Sequence, residues 1–243
     1  MDGRMGGPGM EGTGRIAVVS GANRGIGLEV ARQRARRGLT VVLGARDPAK
    51  GDDAARPLQA EGLTVRPRPL DVVDDEGVAR LVAGVEADLG RLDVLVNNAA
   101  ILYDTWQRGV DADLALVHQA LETNLCGAWR LCRAAVPLMR RGGYGRIVNV
   151  SSGAGSLTRM GGGTPAYSVS KAALNAFTRI LGAELRGTGI LVNAVEPSWT
   201  ATDMGTHGGR PVADGARGVV WAATLPNDGP TGRFFHDGEP EPW

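Results

Sequence analysis

The sequence predicts an α/β fold: a single domain built on a doubly wound parallel sheet of about seven strands, with helices on both faces. Three observations lead there. Short apolar runs alternate with longer segments of helical periodicity from residue 15 onward. Those runs are near-continuously apolar, as strands are when both sheet faces are covered. The residues able to carry chemistry fall just after the runs, where open sheets of this kind bind their ligands.

Each element follows from its own residues. The opening MDGRMGGPGMEGTG, residues 1–14, lacks an apolar centre and reads as a flexible glycine-rich tail, leaving 15–243 as the domain. RIAVVSG (15–21) predicts a buried strand closed by glycine. IGLEVARQRARRG predicts a helix that stops at Gly38, with the basic stretch at 31–38 as its solvent face. TVVLGAR (40–46) is a second strand, and a helix from about Pro48 to Glu61 ends before Gly62. LTVRPRPLDV holds a third strand, interrupted by prolines near its end. A helix covers roughly Asp75 to Leu89, and RLDVLVNNAA (91–100) holds the fourth strand. A long helix follows, because Leu121, Leu125, Ala128, Cys132 and Val136 recur at steps of three and four; Pro137 is expected to bend or end it. GRIVNVSS (145–152) is a fifth strand. The helix containing YSVSK carries Leu174, Phe177, Leu181 and Leu185 on one stripe. GILVNAVEP (189–197) is a sixth strand stopped by Pro197, and GRFFHDG (232–238) a seventh. The glycine-rich stretch at 198–213 reads as a mobile substrate lid.

Composition narrows the function. The 243 residues carry a net charge of +1 with no basic stripe, which argues against nucleic acid as a partner. No apolar run is long enough to cross a bilayer. Cys126 and Cys132, six apart in a helical pattern, face different ways; two isolated thiols suit a reducing cytoplasm. His118, His207 and His236 are too scattered for a metal centre.

SGANRGIG (20–27) joins the first strand to the first helix. Gly21, Gly25 and Gly27 let the backbone turn tightly and bring a pyrophosphate to the helix N-terminus, a Rossmann-type arrangement. Sites preferring NAD usually place a carboxylate at the end of the second strand, but here stand Ala45 and Arg46. Arg24 and Arg46 together fit a 2′-phosphate and favour NADP(H); the plainer alternative is two exposed arginines, and Asp47 weighs against the phosphate reading.

Of 27 cationic residues only Lys50 and Lys171 are lysines, and Tyr167 precedes Lys171 by one helical turn. A phenol titrates near about 10; a neighbouring ammonium would lower that and let Tyr167 donate a proton to a carbonyl oxygen. Ser152, after the fifth strand, could orient that oxygen, with Ser151 as competitor. Asn124 lies inside an apolar helical segment, where an amide needs partners: a water or carbonyl near Lys171, or a purely structural bond.

With these residues in place, the chain resembles the short-chain dehydrogenase/reductase family from about Arg15 to its C-terminus. The resemblance rests on SGANRGIG, LDV (70–72), NNAA (97–100), ETNLCG, SS before YSVSK, and VEPSWTATDM (195–204); the wording is most similar to NADPH-dependent carbonyl reductases. It implies a tetrad of Asn124, Ser152, Tyr167 and Lys171. It also implies cofactor contacts from the glycine loop with Asn23 and Ile26, from Asp71 and Val72 at the adenine, from Asn98 and Ala99, from Tyr167 and Lys171, whose ammonium can reach the ribose hydroxyls, and from Pro197 and Thr202 near the nicotinamide. Two positions depart from the family pattern, where Ala100 and Ser198 replace glycines. Tyr103, Trp106, Trp199 and Met204 are candidate apolar walls of the substrate pocket. The expected activity is hydride transfer from NADPH to a ketone or aldehyde. The alternatives are an NAD-linked alcohol or steroid dehydrogenase, or a nucleotide sensor without turnover. Only 14 residues separate Ser152 from Tyr167, which favours a homodimer or homotetramer over the monomeric carbonyl reductases with a long insertion there.

Overall fold

The computed structural model describes residues 14–205 and 208–243. The expected tail lies outside these residues except for Gly14, as do positions 206 and 207 of the 198–213 stretch. In chain order the strands are β1 (Ile16–Ser20), β2 (Thr40–Ala45), β3 (Val65–Pro69), β4 (Val94–Asn97), β5 (Gly145–Val150), β6 (Ile190–Glu196), β7 (Arg233–His236) and β8 (Glu239–Pro240). The helices are α1 (Gly25–Arg36), α2 (Pro48–Ala60), α3 (Asp75–Leu89), α4 (Leu114–Leu121), α5 (Gly127–Gly142), α6 (Pro165–Glu184) and α7 (Val212–Ala222).

The strands form one sheet in the order β3-β2-β1-β4-β5-β6-β7-β8. Seven run parallel, and β8 returns antiparallel beside β7, one strand beyond the expected seven. Alternate residues of β1 feed opposite cores. Ile16 and Val18 pack with Val78, Leu131, Leu174 and Phe177, under α3, α5 and α6. Ala17 and Val19 pack with Val30, Ala55, Val219 and Val220, under α1, α2 and α7. This is a single Rossmann-like domain with helices on both faces. The order reverses between β1 and β4, and the cleft that this leaves at their C-terminal ends positions the site. No helix among the described residues is long and apolar enough to cross a membrane.

Several local expectations change in the tertiary context. Pro67 and Pro69 do not interrupt β3, because β3 is an edge strand bonded only to β2. Pro137 does not end its helix: α5 runs on to Gly142, with Gly143 in the left-handed conformation as its stop. The long helix is divided by a π-helical segment at Glu122–Cys126. Ala128 and Cys132 are buried as expected, joined by Leu131, Ala135, Leu138 and Met139, while Leu125 and Val136 pack against this core only partly buried and Leu121 is partly buried. In the basic run at 31–38, Arg34 turns inward and is buried. The α7 helix, which shields the sheet beside α1, had no counterpart in the sequence reading.

At the end of the sheet opposite the cleft, Arg146 is buried and, among the described residues, bonds to carbonyl and amide oxygens. Its guanidinium donates to Leu225 O at 2.7 Å, Gly145 O at 2.7 Å, Gly189 O at 3.2 Å and Asn227 Oδ1 at 2.8 Å, and stacks 4.1 Å from the Tyr144 ring. Replacing it by alanine opens a cavity and removes the Arg146 donor from Leu225 O, Gly145 O and Asn227 Oδ1, while Gly189 O still accepts from Gly145 N. The expected loss is about 2–4 kcal/mol, read as a lower midpoint in thermal or urea unfolding.

Candidate functional site

The cleft encloses ≈ 420 Å³ between the glycine loop, the ends of β4 and β5, and the segment after β6. Its floor is set by Ser20, the last residue of β1. The Ser20 hydroxyl accepts from the backbone N–H groups of Asn98 (3.0 Å) and Ala99 (3.1 Å), clamping β1 to β4 where the sheet order reverses. The Asn98 amide donates to the carbonyls of Ser20 and Gly21, holding the glycine loop from below. A methyl at Gly21 would lie 2.9 Å from Ala99 Cα, and one at Gly27 would strike Asn98 Nδ2 and Gly21 O. The glycines are thus required by close backbone approach as well as by the turn. Such a bare loop at a helix N-terminus fits a dinucleotide pyrophosphate.

Gly21, Asn23, Arg24, Gly25, Ile26, Arg46, Asp71, Val72, Asn98, Ala99, Tyr167, Lys171, Pro197 and Thr202 all line this cleft; Gly27 lies behind it, in the packing of the loop. Arg46 is exposed at the end of β2 and also borders an adjoining hollow with Arg24, Arg32 and Lys50. Asp47 is turned away from Arg46, its carboxylate accepting from the N–H groups of Ala49 and Lys50 as the N-terminal cap of α2. Arg24 is paired with Asp203 at 2.5 Å, across the mouth of the cleft.

Tyr167, Lys171 and Ser152 gather at the end of β5. Tyr167 and Lys171 stand one turn apart on α6, with Lys171 Nζ 5.6 Å from the phenol ring centre. Lys171 is buried, and its Nζ donates to Val150 O at 2.8 Å. Burial pushes the Lys171 ammonium down to about 7. Burial raises the Tyr167 phenol above its usual range, a hydrogen bond with Ser152 pulls it back, and the Glu196 carboxylate raises it further. Desolvation therefore outweighs the ammonium in setting Tyr167, contrary to the simple expectation from the i, i+4 pair. The two serines differ in their partners. Ser151 lines the cleft and donates to the Asn175 side chain at 2.6 Å, whereas Ser152 accepts from Ala154 N at 3.2 Å and lowers the Tyr167 phenol.

Asn124 reaches α6 at Ser170, the residue before Lys171. Its Oδ1 accepts from Ile101 N at 2.8 Å, and its Nδ2 donates to Ile101 O at 3.0 Å and Ser170 Oγ at 2.9 Å. The π-helical segment is what turns this amide inward, a placement that 3.6-residue periodicity does not show. Among the candidate walls, Tyr103 and Met204 line the cleft. Trp106 and Trp199 do not: they are 73% and 64% exposed, because both lie on loops outside the packed layers. Ala100 takes no left-handed backbone angle, while Ser198 does, with φ 60° and its Oγ 3.0 Å from His236 Nε2. Ser20, Asp104, Ser170 and Glu196 were missed by sequence reasoning. Ser20 and Glu196 had a signal, each being the polar last residue of an apolar strand.

No cluster of three or more His, Cys, Asp or Glu suited to a metal occurs among the described residues. What the cleft can do is seat a dinucleotide against a tyrosine, a serine and a lysine, the parts needed for proton transfer beside a hydride carrier.

The comparisons with known proteins agree. Residues 15–210 match the family profile described as short chain dehydrogenase. Carbonyl reductase (NADPH) 1 of Mus musculus is 33% identical over 278 residues, covering 94% of this chain and 98% of its own. The monensin polyketide synthase putative ketoacyl reductase of Streptomyces virginiae is 41% identical over 196 residues, covering 79% and 73%. Among solved structures, an actinorhodin polyketide ketoreductase variant with NADPH superposes with a TM-score of 0.85 at 29% identity, covering 93% and 99%. Salutaridine reductase of Papaver somniferum gives 0.81 at 28% identity, covering 92% and 99%. Sheet order, glycine loop, tyrosine–lysine helix and relatives converge on one conclusion: the chain belongs to the short-chain dehydrogenase family.

Proposed function

We propose that this protein is an NADPH-dependent reductase of ketone or aldehyde carbonyls, with Tyr167 as the proton donor. The observation that carries the reading is that Tyr167 and Lys171, with Nζ 5.6 Å from the phenol ring, share one cleft with the glycine loop. Bound NADPH would supply the hydride. The chain's own residues do the rest. Gly21, Gly25 and Ile26 line the cleft beside the N-terminus of α1, and Asp71 and Val72 line it from the loop after β3. Ser152 and Tyr167 orient the carbonyl oxygen, and the phenol hands it a proton as the carbon is reduced. Lys171 places a cation beneath the phenol and holds it there through Val150 O. The names of the mouse carbonyl reductase and of the ketoreductase support the substrate class.

Incubating the protein with NADPH and a panel of ketones and aldehydes, while following nicotinamide absorbance, tests the reading; no oxidation above a protein-free control refutes it. One observation favours the NAD-linked rival: Arg24 is engaged by Asp203, which leaves Arg46 to select a 2′-phosphate. Arg46→Ala should then raise KM for NADPH by about 10- to 100-fold, the worth of one charge-assisted bond, and leave KM for NADH unchanged. An equal effect on both cofactors assigns Arg46 no part in the choice.

A further inference from the structure

We propose that Asp104 is a positioning residue for Tyr167: its carboxylate supplies the N-terminal cap that α6 lacks and so ties the placement of the phenol to the loop that walls the cleft. The proposal rests on the reductase reading above.

A helix leaves its first N–H groups without partners in the helix itself. In α6 the first residue is Pro165, which has none to offer, and Ser168 N already reaches Thr164 O. The groups needing a cap are the N–H of Ala166 and Tyr167. The local candidate cannot serve: Thr164 has φ 44° and ψ 50°, whereas a capping side chain needs an extended backbone, and its hydroxyl instead lies 3.3 Å from Ser168 Oγ. Asp104, 62 positions away from Ala166, fills the gap. Its Oδ2 accepts from Ala166 N at 2.6 Å and from Tyr167 N at 3.4 Å, and a carboxylate there also meets the positive end of the helix dipole.

Asp104 is 1% exposed, and its Oδ1 has no hydrogen-bond partner among the described residues. A buried carboxylate with one idle oxygen is costly, so its single-sided engagement of Tyr167's own turn calls for an account. The second clamp supplies it. Asn124 binds both backbone groups of Ile101 and the Ser170 hydroxyl. The loop 101–104 is therefore fastened to α6 at Ser170 and at Ala166–Tyr167, on either side of the phenol. Tyr103, beside Asp104, lines the cleft. Pocket wall and proton donor thus move as one piece.

The test compares Asp104→Ala, Asp104→Asn and Asp104→Ser with wild type. Three quantities are measured: kcat per NADPH-binding site titrated by fluorescence, KM for NADPH, and amide hydrogen exchange of the peptide around 164–171. Asp104→Ala should lower kcat per site by about 10- to 100-fold, as a displaced reacting group does. Its KM for NADPH should stay within about twofold, since the cap touches none of the glycine loop. Exchange at Ala166 and Tyr167 should quicken. Asp104→Asn keeps an acceptor oxygen and should recover most of kcat. Should the alanine variant not fold, Asp104→Ser, whose hydroxyl is too short to serve both amides, must show the same loss of kcat at constant KM. A variant that lowers only the melting temperature, with kcat per site preserved, overturns the proposal, as does an asparagine variant no better than alanine. Wild-type protein that turns over no carbonyl would sink the reductase reading instead. Exchange at Ala166 and Tyr167 would then decide alone, and unchanged exchange in Asp104→Ala refutes the cap.

Discussion

Tyr167→Phe should lower kcat for carbonyl reduction by about 10²–10⁴-fold, the range that a positioned general acid contributes, while KM for NADPH stays near its wild-type value. The ring keeps its volume and its place on α6, so packing is conserved and only the hydroxyl is lost. Most of the groups expected to seat the dinucleotide lie elsewhere: in the glycine loop, at Asn98, and at Asp71 and Val72. Ser152 loses its phenol partner but still accepts from Ala154 N at 3.2 Å, so stability should change by no more than about 1 kcal/mol. Steady-state kinetics with NADPH-binding fluorescence on the same samples separate the two parameters. A phenylalanine variant retaining wild-type kcat would remove Tyr167 from the proton-transfer step.

Lys171→Met should abolish most activity and yet stabilise the fold at neutral and acidic pH. Burial takes the Lys171 ammonium from 10.5 down to about 7. Between those values the unfolded chain binds the proton and the folded chain does not, so stability rises with pH across that window; below pH 7 the folded protein carries the full cost of the buried charge. A shift of this size corresponds to roughly 5 kcal/mol, offset in the variant by about 1–3 kcal/mol for leaving Val150 O without its donor. The net gain should raise the melting temperature by about 5–10 °C at pH 6, shrink as pH rises, and give way to a small net loss by about pH 10, where only the missing donor to Val150 O remains. Methionine also removes the cation from beneath the phenol, so kcat/KM should fall by orders of magnitude. In the wild type, kcat/KM for reduction should decline as pH rises through about 7, because both the ammonium and the protonated phenol are needed. Melting curves from pH 6 to 10 and a pH–rate profile check these signs. A methionine variant less stable than wild type at pH 6 would show that Lys171 is stabilised by its surroundings rather than strained by them. Loss of function with gain of stability is the usual signature of a group held in an unfavourable place for its chemistry.

What was legible in the sequence followed from local rules. Apolar runs marked the central parallel strands because those are buried on both faces, and the order of elements implied right-handed crossovers and a switch point. The glycine loop was legible because only residues without Cβ survive where Gly21 meets Ala99 and Gly27 meets Asn98. The tyrosine and lysine were legible because a helix repeats its face every three to four residues.

Contacts between elements distant in sequence were decided only by the tertiary structure. Pro67 is tolerated within β3 because the strand has no neighbour on one side, and no local pattern announces an edge. Asn124 binds Ile101 and Ser170, partners 23 and 46 positions away, because a π-helical segment turns it inward. Asp104 finds the first turn of α6 across 62 residues because the β4 loop folds over that helix. The balance at the phenol was also out of reach: spacing placed a cation beside Tyr167, but the depth of burial, which outweighs that cation, belongs to the assembled cleft. Periodicity and residue type act over a few residues and so can be read along the chain. Desolvation and long-range hydrogen bonds depend on what the folded chain brings alongside, and they exist only once it has folded.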